Sequence, residues 1–157
     1  MQRIYRRINN KILSHNKFVF GYEVQSGRKT ACMYMCNNYK KGMILDNTSP
    51  HVSPVFEYNI ETMIEDMYKV FPNDYIYVAG VQDEEQFGLF RQFGFTMVKI
   101  NKPKTSKSIR NNWDFLREDM LDYVNDDIWD ITIDNTSTLY NLHKEIEKKI
   151  IKNYKQL

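Results

Sequence analysis

Residues 17–39 read KFVFGYEVQSGRKTACMYMCNNY. An apolar run, Phe18-Val19-Phe20, meets a polar loop bracketed by Gly21 and Gly27, and a helix-forming block follows from Thr30. That layout of strand, loop and helix can cradle a phosphate. Backbone N–H groups around the glycines turn inward, and the helix N-terminus adds the positive end of its dipole. The strict spacing G-x-x-x-x-G-K-[ST] is not met. Five residues separate Gly21 from Gly27, and Arg28, Lys29 and Thr30 follow. On this stretch alone two readings stand. One is an eroded phosphate loop with Gly21, Ser26, Gly27, Arg28, Lys29 and Thr30 as its contacts; the other is a plain glycine-containing turn.

Outward from this stretch, the pattern repeats. Residues 30–39 are apolar on most sides and read as a helix buried between layers. Strand-like runs follow at 42–46 (GMILD), 75–79 (YIYVA), 95–100 (FTMVKI) and 128–133. Between them lie helical patterns. Asn59 caps Ile60, Met63, Ile64, Met67 and Phe71 before Pro72 stops the run. Residues 83–93 space Phe87, Phe90 and Phe93 by three, with Gly94 as the stop. A terminal helix spans 137–154, capped by Asp134, Asn135 or Thr136, with Leu139, Leu142, Ile146 and Ile150 inward. Strands alternating with helices predict an α/β fold, a parallel five-stranded sheet with helices on both faces. Ligands of such sheets bind beyond the carboxyl ends of the strands, where the 21–30 loop falls.

The chain of 157 residues is one domain's worth, with 42% hydrophobic and 27% charged residues. The net charge of +2 points to no partner. Its distribution says more. Residues 1–17 hold Arg3, Arg6, Arg7, Lys11 and Lys17 without an acid, whereas 114–134 is acidic. Ile4, Ile8 and Ile12 recur every four residues, which predicts an amphipathic helix over 1–16, set apart from a domain over 17–157. That basic segment is read as a helix packed on the domain, an arm for nucleic acid or acidic membrane, or a docking segment for another protein. Residues 101–112 form a second basic stretch, either a solvated loop or a phosphate-contacting lid, and 113–123 suggests a short helix. Cys32 and Cys36 argue against a disulfide framework and for a reducing compartment, and no second Cys or His pair completes a zinc site. No apolar run is of membrane-spanning length, so a soluble product without membrane contact is expected. His51 in His-Val-Ser has no second H-x-[ST] to pair with, which sets aside a two-histidine phosphoesterase.

Three blocks together carry a resemblance. KFVFGYEVQSGRKTACMYMCNNYKKGMIL, NDYIYVAGVQDEEQFGLFRQFGFTMVKINKP and DDIWDITIDNTSTLYNLHKEIEKKI cover a little over half of the chain. In order and spacing they resemble the bacteriophage-type deoxynucleoside monophosphate kinases, a branch of the P-loop kinase fold. The resemblance implies a three-layer P-loop kinase-like sandwich that handles Mg-ATP. It also implies a loop of the form G-x-x-x-S-G-K-D-T. Ser26, Gly27 and Thr30 match, Tyr22 stands at the first glycine, Arg28 at the lysine and Lys29 at the aspartate. Arginine keeps the charge, but its planar fork does not substitute for a compact ammonium in a tight loop. The family's D-x-R after the third strand falls on Gly80 and Gln82, both uncharged. The region where the family binds its acceptor nucleotide is cut to about thirty residues.

Phosphoryl transfer rests on positioning and charge stabilisation, so losing both groups removes much of what the fold contributes. The expectation is therefore a degenerate, catalytically inactive kinase-like protein of viral origin. It would be kept as an interaction or structural component with a protein partner, in the host cytoplasm or in a virion, and without a cofactor. The alternative is an active (deoxy)nucleoside monophosphate kinase. That needs Arg28 or Lys29 on the phosphates, Thr30 on Mg²⁺, and Asp83 or Glu84 replacing the missing carboxylate. A third reading, nucleic-acid binding, uses residues 1–17 and 102–110.

Overall fold

The computed structural model describes residues 5–8, 11–22, 27–47, 60–81, 84–101, 128–135 and 138–155. After a hairpin of β1 (Tyr5–Ile8) and β2 (Lys11–Ser14), the chain enters β3 (Lys17–Tyr22), α1 (Gly27–Asn38) and β4 (Met43–Asp46). There follow α2 (Ile60–Val70), β5 (Ile76–Ala79), α3 (Glu84–Gln92), β6 (Thr96–Asn101) and β7 (Ile131–Asp134). The chain ends in α4 (Leu139–Ile146), a π-helical turn (Glu147–Ile151) and α5 (Lys152–Lys155). Five strands form one all-parallel sheet in the order β4-β5-β3-β6-β7.

Side chains alternate along each strand, and both faces of this sheet are covered. Phe18, Phe20, Tyr77, Ala79, Val98, Ile100, Ile131 and Ile133 share a core with Ala31, Cys32 and Met35 of α1 and with the terminal helix. Val19, Ile76, Val78 and Met97 pack on the other face with Met63, Ile64 and Met67 of α2 and with Phe87 and Phe90 of α3. That is why β5 is buried at every position rather than at alternate ones. Crossover direction agrees with the layers. The connection from β3 to β4 runs outward past β5 through α1. The connections from β4 to β5 and from β5 to β6 run the opposite way, through helices on the opposite face. A single crossover hand demands this switch.

Aromatic rings fill the volume that alanines do not. Phe18 lies 5.7 Å from the ring of Tyr77 and meets Tyr154 edge-on at 5.4 Å. At the end of α3, Gly94 has φ 88°. Its N–H donates to Arg91 and that of Phe95 to Phe90, while the Phe90 and Phe95 rings meet at 5.0 Å. This is a Schellman stop with its hydrophobic clasp.

Three expectations are corrected. The helix over 1–16 is a hairpin, with Tyr5 opposite Ser14 and Ile8 opposite Lys11. A spacing of four residues fits one helical turn, but the register puts Ile8 on β1 and Ile12 on β2, and the sequence between them, Asn9-Asn10, is of the residue types that two-residue hairpin connections favour. The last strand begins at Ile131, because Trp129 turns onto the α3 face instead of continuing the pleat. The terminal helix is capped by Thr138, whose side chain accepts the Asn141 N–H, rather than by residues 134–136. It also widens into a π turn, which lets the consecutive Ile150 and Ile151 both reach the core. The Asn59 cap, the 48–56 loop with His51, and the 102–123 loop and helix lie outside the described residues.

Candidate functional site

Neighbouring strands β3 and β5 send their chains to opposite faces of the sheet, α1 to one and α3 to the other. The crevice between their carboxyl ends is the topological switch point, the general ligand position of open parallel sheets. Around it stand Gly21 of β3, Gly27 to Thr30 of α1, Asp46 and Asn47 after β4, and Gly80 after β5. Ser26, Gln82 and Asp83 lie outside the described residues.

Gly21 is buried in β3 rather than in the loop. A Cβ placed there would come within 2.8 Å of the Trp129 ring and 3.3 Å of Val81. The missing side chain thus has a packing reason: the Trp129 ring occupies that space, edge-on to Phe87 at 4.7 Å between ring centres.

Gly27 opens α1, and the next two residues are cations with no acid in the first turn. Positive charge at a helix N-terminus opposes the dipole, so this arrangement makes electrostatic sense opposite an anion. For Lys29 the anion is internal. Its ammonium pairs with Asp46 at 2.8 Å, both groups about half exposed. Arg28 goes the other way and is buried, 2% exposed. Thr30 is half-buried. The loop's three polar candidates therefore divide: one sits inside the fold, one is held by a neighbouring strand's carboxylate, and one lies between.

Asn47 and Gly80 form the opposite wall. The Asn47 amide donates to the Gly80 carbonyl at 3.1 Å and to the Gln86 side chain at 2.9 Å, and its own N–H reaches Ala79. Gly80 donates to the Phe20 carbonyl and takes φ 112°. L-residues rarely adopt that backbone. Glu84 and Glu85, in the first turn of α3, are exposed and complement its dipole.

Beneath α1, Cys32 is fully buried, and burial, with the Asp46 charge adding to it, pushes its thiol far above the ordinary range. Cys36 bonds through its sulfur to Gly42. Among the described residues no group of three or more His, Cys, Asp or Glu could hold a metal ion, and no helix is long and apolar enough to cross a membrane.

Sequence reading passed over Asn47, Lys99 and Trp129. Lys99 is the pairing partner of Gly21 on β6 and is 8% exposed. A lysine inside a strand buried on both faces was the available signal. Trp129 could not be found this way, because its contact with Gly21 spans more than a hundred positions. No protein-family model matches the chain, and no curated protein matches it.

Proposed function

We propose that this chain is a kinase-like protein, related to the deoxynucleoside monophosphate kinases and of viral origin, that no longer transfers phosphoryl groups and serves as an interaction or structural component. One observation carries the reading. Gly80, the position of the family's carboxylate, sits in a backbone conformation suited to glycine, with its N–H and carbonyl both engaged by neighbours. A carboxylate would be strained there. Two further features support it. Arg28, at the position of the family's lysine, is buried, and Lys29 beside it is answered by Asp46. Gly21 is closed over by Trp129. The five-stranded parallel sheet with a glycine-and-cation helix start at its carboxyl edge supports descent from a nucleotide-handling fold.

Thermal unfolding of the full chain with and without millimolar Mg-ATP tests this reading, alongside ATP turnover with each deoxynucleoside monophosphate. A ligand at about 100 times its Kd raises stability by ~2.7 kcal/mol. The expected result is no shift and no turnover. A shift without turnover leaves an inactive nucleotide-binding relative, and sustained turnover overturns the proposal in favour of an active kinase.

A further inference from the structure

Among the described residues, the helices on the two faces of the sheet carry opposite charge. On one side, α2 buries Met63, Ile64 and Met67 and exposes Glu61, Glu65 and Asp66 against a single cation, Lys69. Beside it, α3 exposes Glu84 and Glu85 against Arg91. On the other side, the terminal helix buries Leu142, Ile146 and Ile150 and exposes Lys144, Lys148 and Lys152. At four-residue intervals these lysines stand ~6 Å apart along the helix. The acids of that helix are engaged by neighbours: Glu147 accepts from the Tyr34 hydroxyl at 3.3 Å, and Glu145 pairs with Lys149 at 3.1 Å. Lys40 and Lys41, exposed where α1 ends, add to the same layer. Helix dipoles account for the first-turn acids Glu61, Glu84 and Glu85, but not for Glu65 and Asp66 farther along α2. Nor do they account for Lys144 and Lys148, which lie more than a turn from the end of the terminal helix.

We infer that copies of this chain stack front to back, the acidic α2–α3 face of one on the basic face of α1 and the terminal helix of the next. Both faces belong to one chain and lie on opposite sides of its sheet. The contact is therefore heterologous: each copy added leaves one acidic and one basic face open, and the row continues. Charge selects this pairing, because either face set against itself brings like charges together. The basic layer also exposes Met33, Leu139 and Tyr140, and the acidic layer Val70. Large apolar groups among the lysines suit a protein surface better than a polyanion, and tyrosine is enriched at protein contacts. Exposed charges act over about 30 Å at 0.01 M salt and about 8 Å at 0.15 M, so the stack forms at low salt and comes apart as salt rises. Stacking is independent of nucleotide at the carboxyl edge, so the Mg-ATP experiment and the one below fail separately.

The test is sedimentation equilibrium of the full chain, before and after nuclease treatment, over a concentration series at about 10 mM and about 300 mM salt. At the lower salt the weight-average mass should climb past twice the monomer's as concentration rises. At the higher salt it should return to the monomer's. Two reversals separate the faces: Glu65→Lys, Asp66→Lys, Glu85→Lys on one, and Lys144→Glu, Lys148→Glu, Lys152→Glu on the other. All six side chains are exposed. Each variant alone has two like faces and should stay monomeric, whereas an equimolar mixture of the two should regain the parent's mass. Carbodiimide cross-linking of the unaltered chain, isotopically heavy copies mixed with light ones, covers the case of a misfolded variant. Mass spectrometry should then find heavy-to-light links that join carboxylates of α2 or α3 to lysines of the terminal helix. A parent that stays monomeric at low salt, a mass that levels off at two copies, a mixture no heavier than either variant, or heavy-to-light links confined to other segments overturns the inference. So does association that nuclease abolishes, which would make the lysine face a polyanion contact.

Discussion

Gly80 shows how much one residue decides at a sheet edge. Its positive φ lets the chain leave β5 sharply, so that Asn47 can close over its carbonyl and Phe20 can accept its N–H. Gly80→Asp should lower stability by ~1–3 kcal/mol in chemical denaturation, the range for a non-glycine residue held in a sparse backbone region, and should not produce ATP turnover. Turnover in that variant would mean that the missing carboxylate was the only defect. Cys32 makes a second case at this scale. Its buried thiol stays protonated where an unfolded cysteine, with its ordinary value of 9.0, ionises. A group raised in the folded state contributes stability that is complete below the unfolded value and lost as pH climbs past it. Stability should therefore fall between pH 9 and 10, and Cys32→Ala should flatten that fall by ~1.4 kcal/mol per pH unit at most. Iodoacetamide on the native chain should label at most one thiol, the half-buried Cys36, and a second only on unfolding, as mass spectrometry would read directly.

Among elements, α3 and the terminal helix show how far local signals reach. Gly94 was legible as a stop because glycine alone enters the left-handed region at little cost, and the Schellman bonds and the Phe90–Phe95 clasp are the realised form of that signal. Gly94→Ala should destabilise the chain by ~1–2 kcal/mol without changing the denaturant slope, since strain is added and the surface exposed on unfolding is not. The terminal helix was legible in most of its face but not in its pitch: Leu139, expected to point inward, is 59% exposed. Leu142, Ile146 and Ile150 keep the helical spacing, and only contact with the sheet brings Ile151 in beside Ile150. Lys149 stabilises the same turn by reaching both the Thr132 carbonyl and Glu145 at 3.1 Å. The hairpin was not legible for a simpler reason: isoleucines four apart fit a helical stripe, and only the pairing puts Ile8 and Ile12 on different strands.

Across the whole molecule, the amino edge of the sheet is as organised as the carboxyl edge. Lys17 is fully buried there, its ammonium capping the carbonyls of Pro72 and, at 2.6 Å, Asp74, with the Tyr68 ring 5.5 Å away. Asn16 reaches Pro72 as well, and Ser14 ties this edge to β6 and the chain's end. Deleting residues 1–16 should therefore do more than remove an appendage. Thr96 and Tyr154, whose buried hydroxyls also contact each other at 3.2 Å, both lose the Ser14 carbonyl, and a buried hydroxyl left unsatisfied costs ~1–3 kcal/mol. A clear drop in melting temperature is expected, and an unchanged one would mark the hairpin as thermally separate.

The alternation of strands and helices, the parallel sheet and the Gly94 stop were determined by the sequence alone, because apolar period and backbone freedom are local properties. The fate of the glycine-loop candidates was decided only in three dimensions. Whether Lys29 faces an open crevice or Asp46, whether Arg28 lies inside or out, and why residue 21 lacks a side chain depend on strands and a tryptophan distant in the chain. Charge pairing and ring packing act through space, and no spacing within residues 21–30 could encode them.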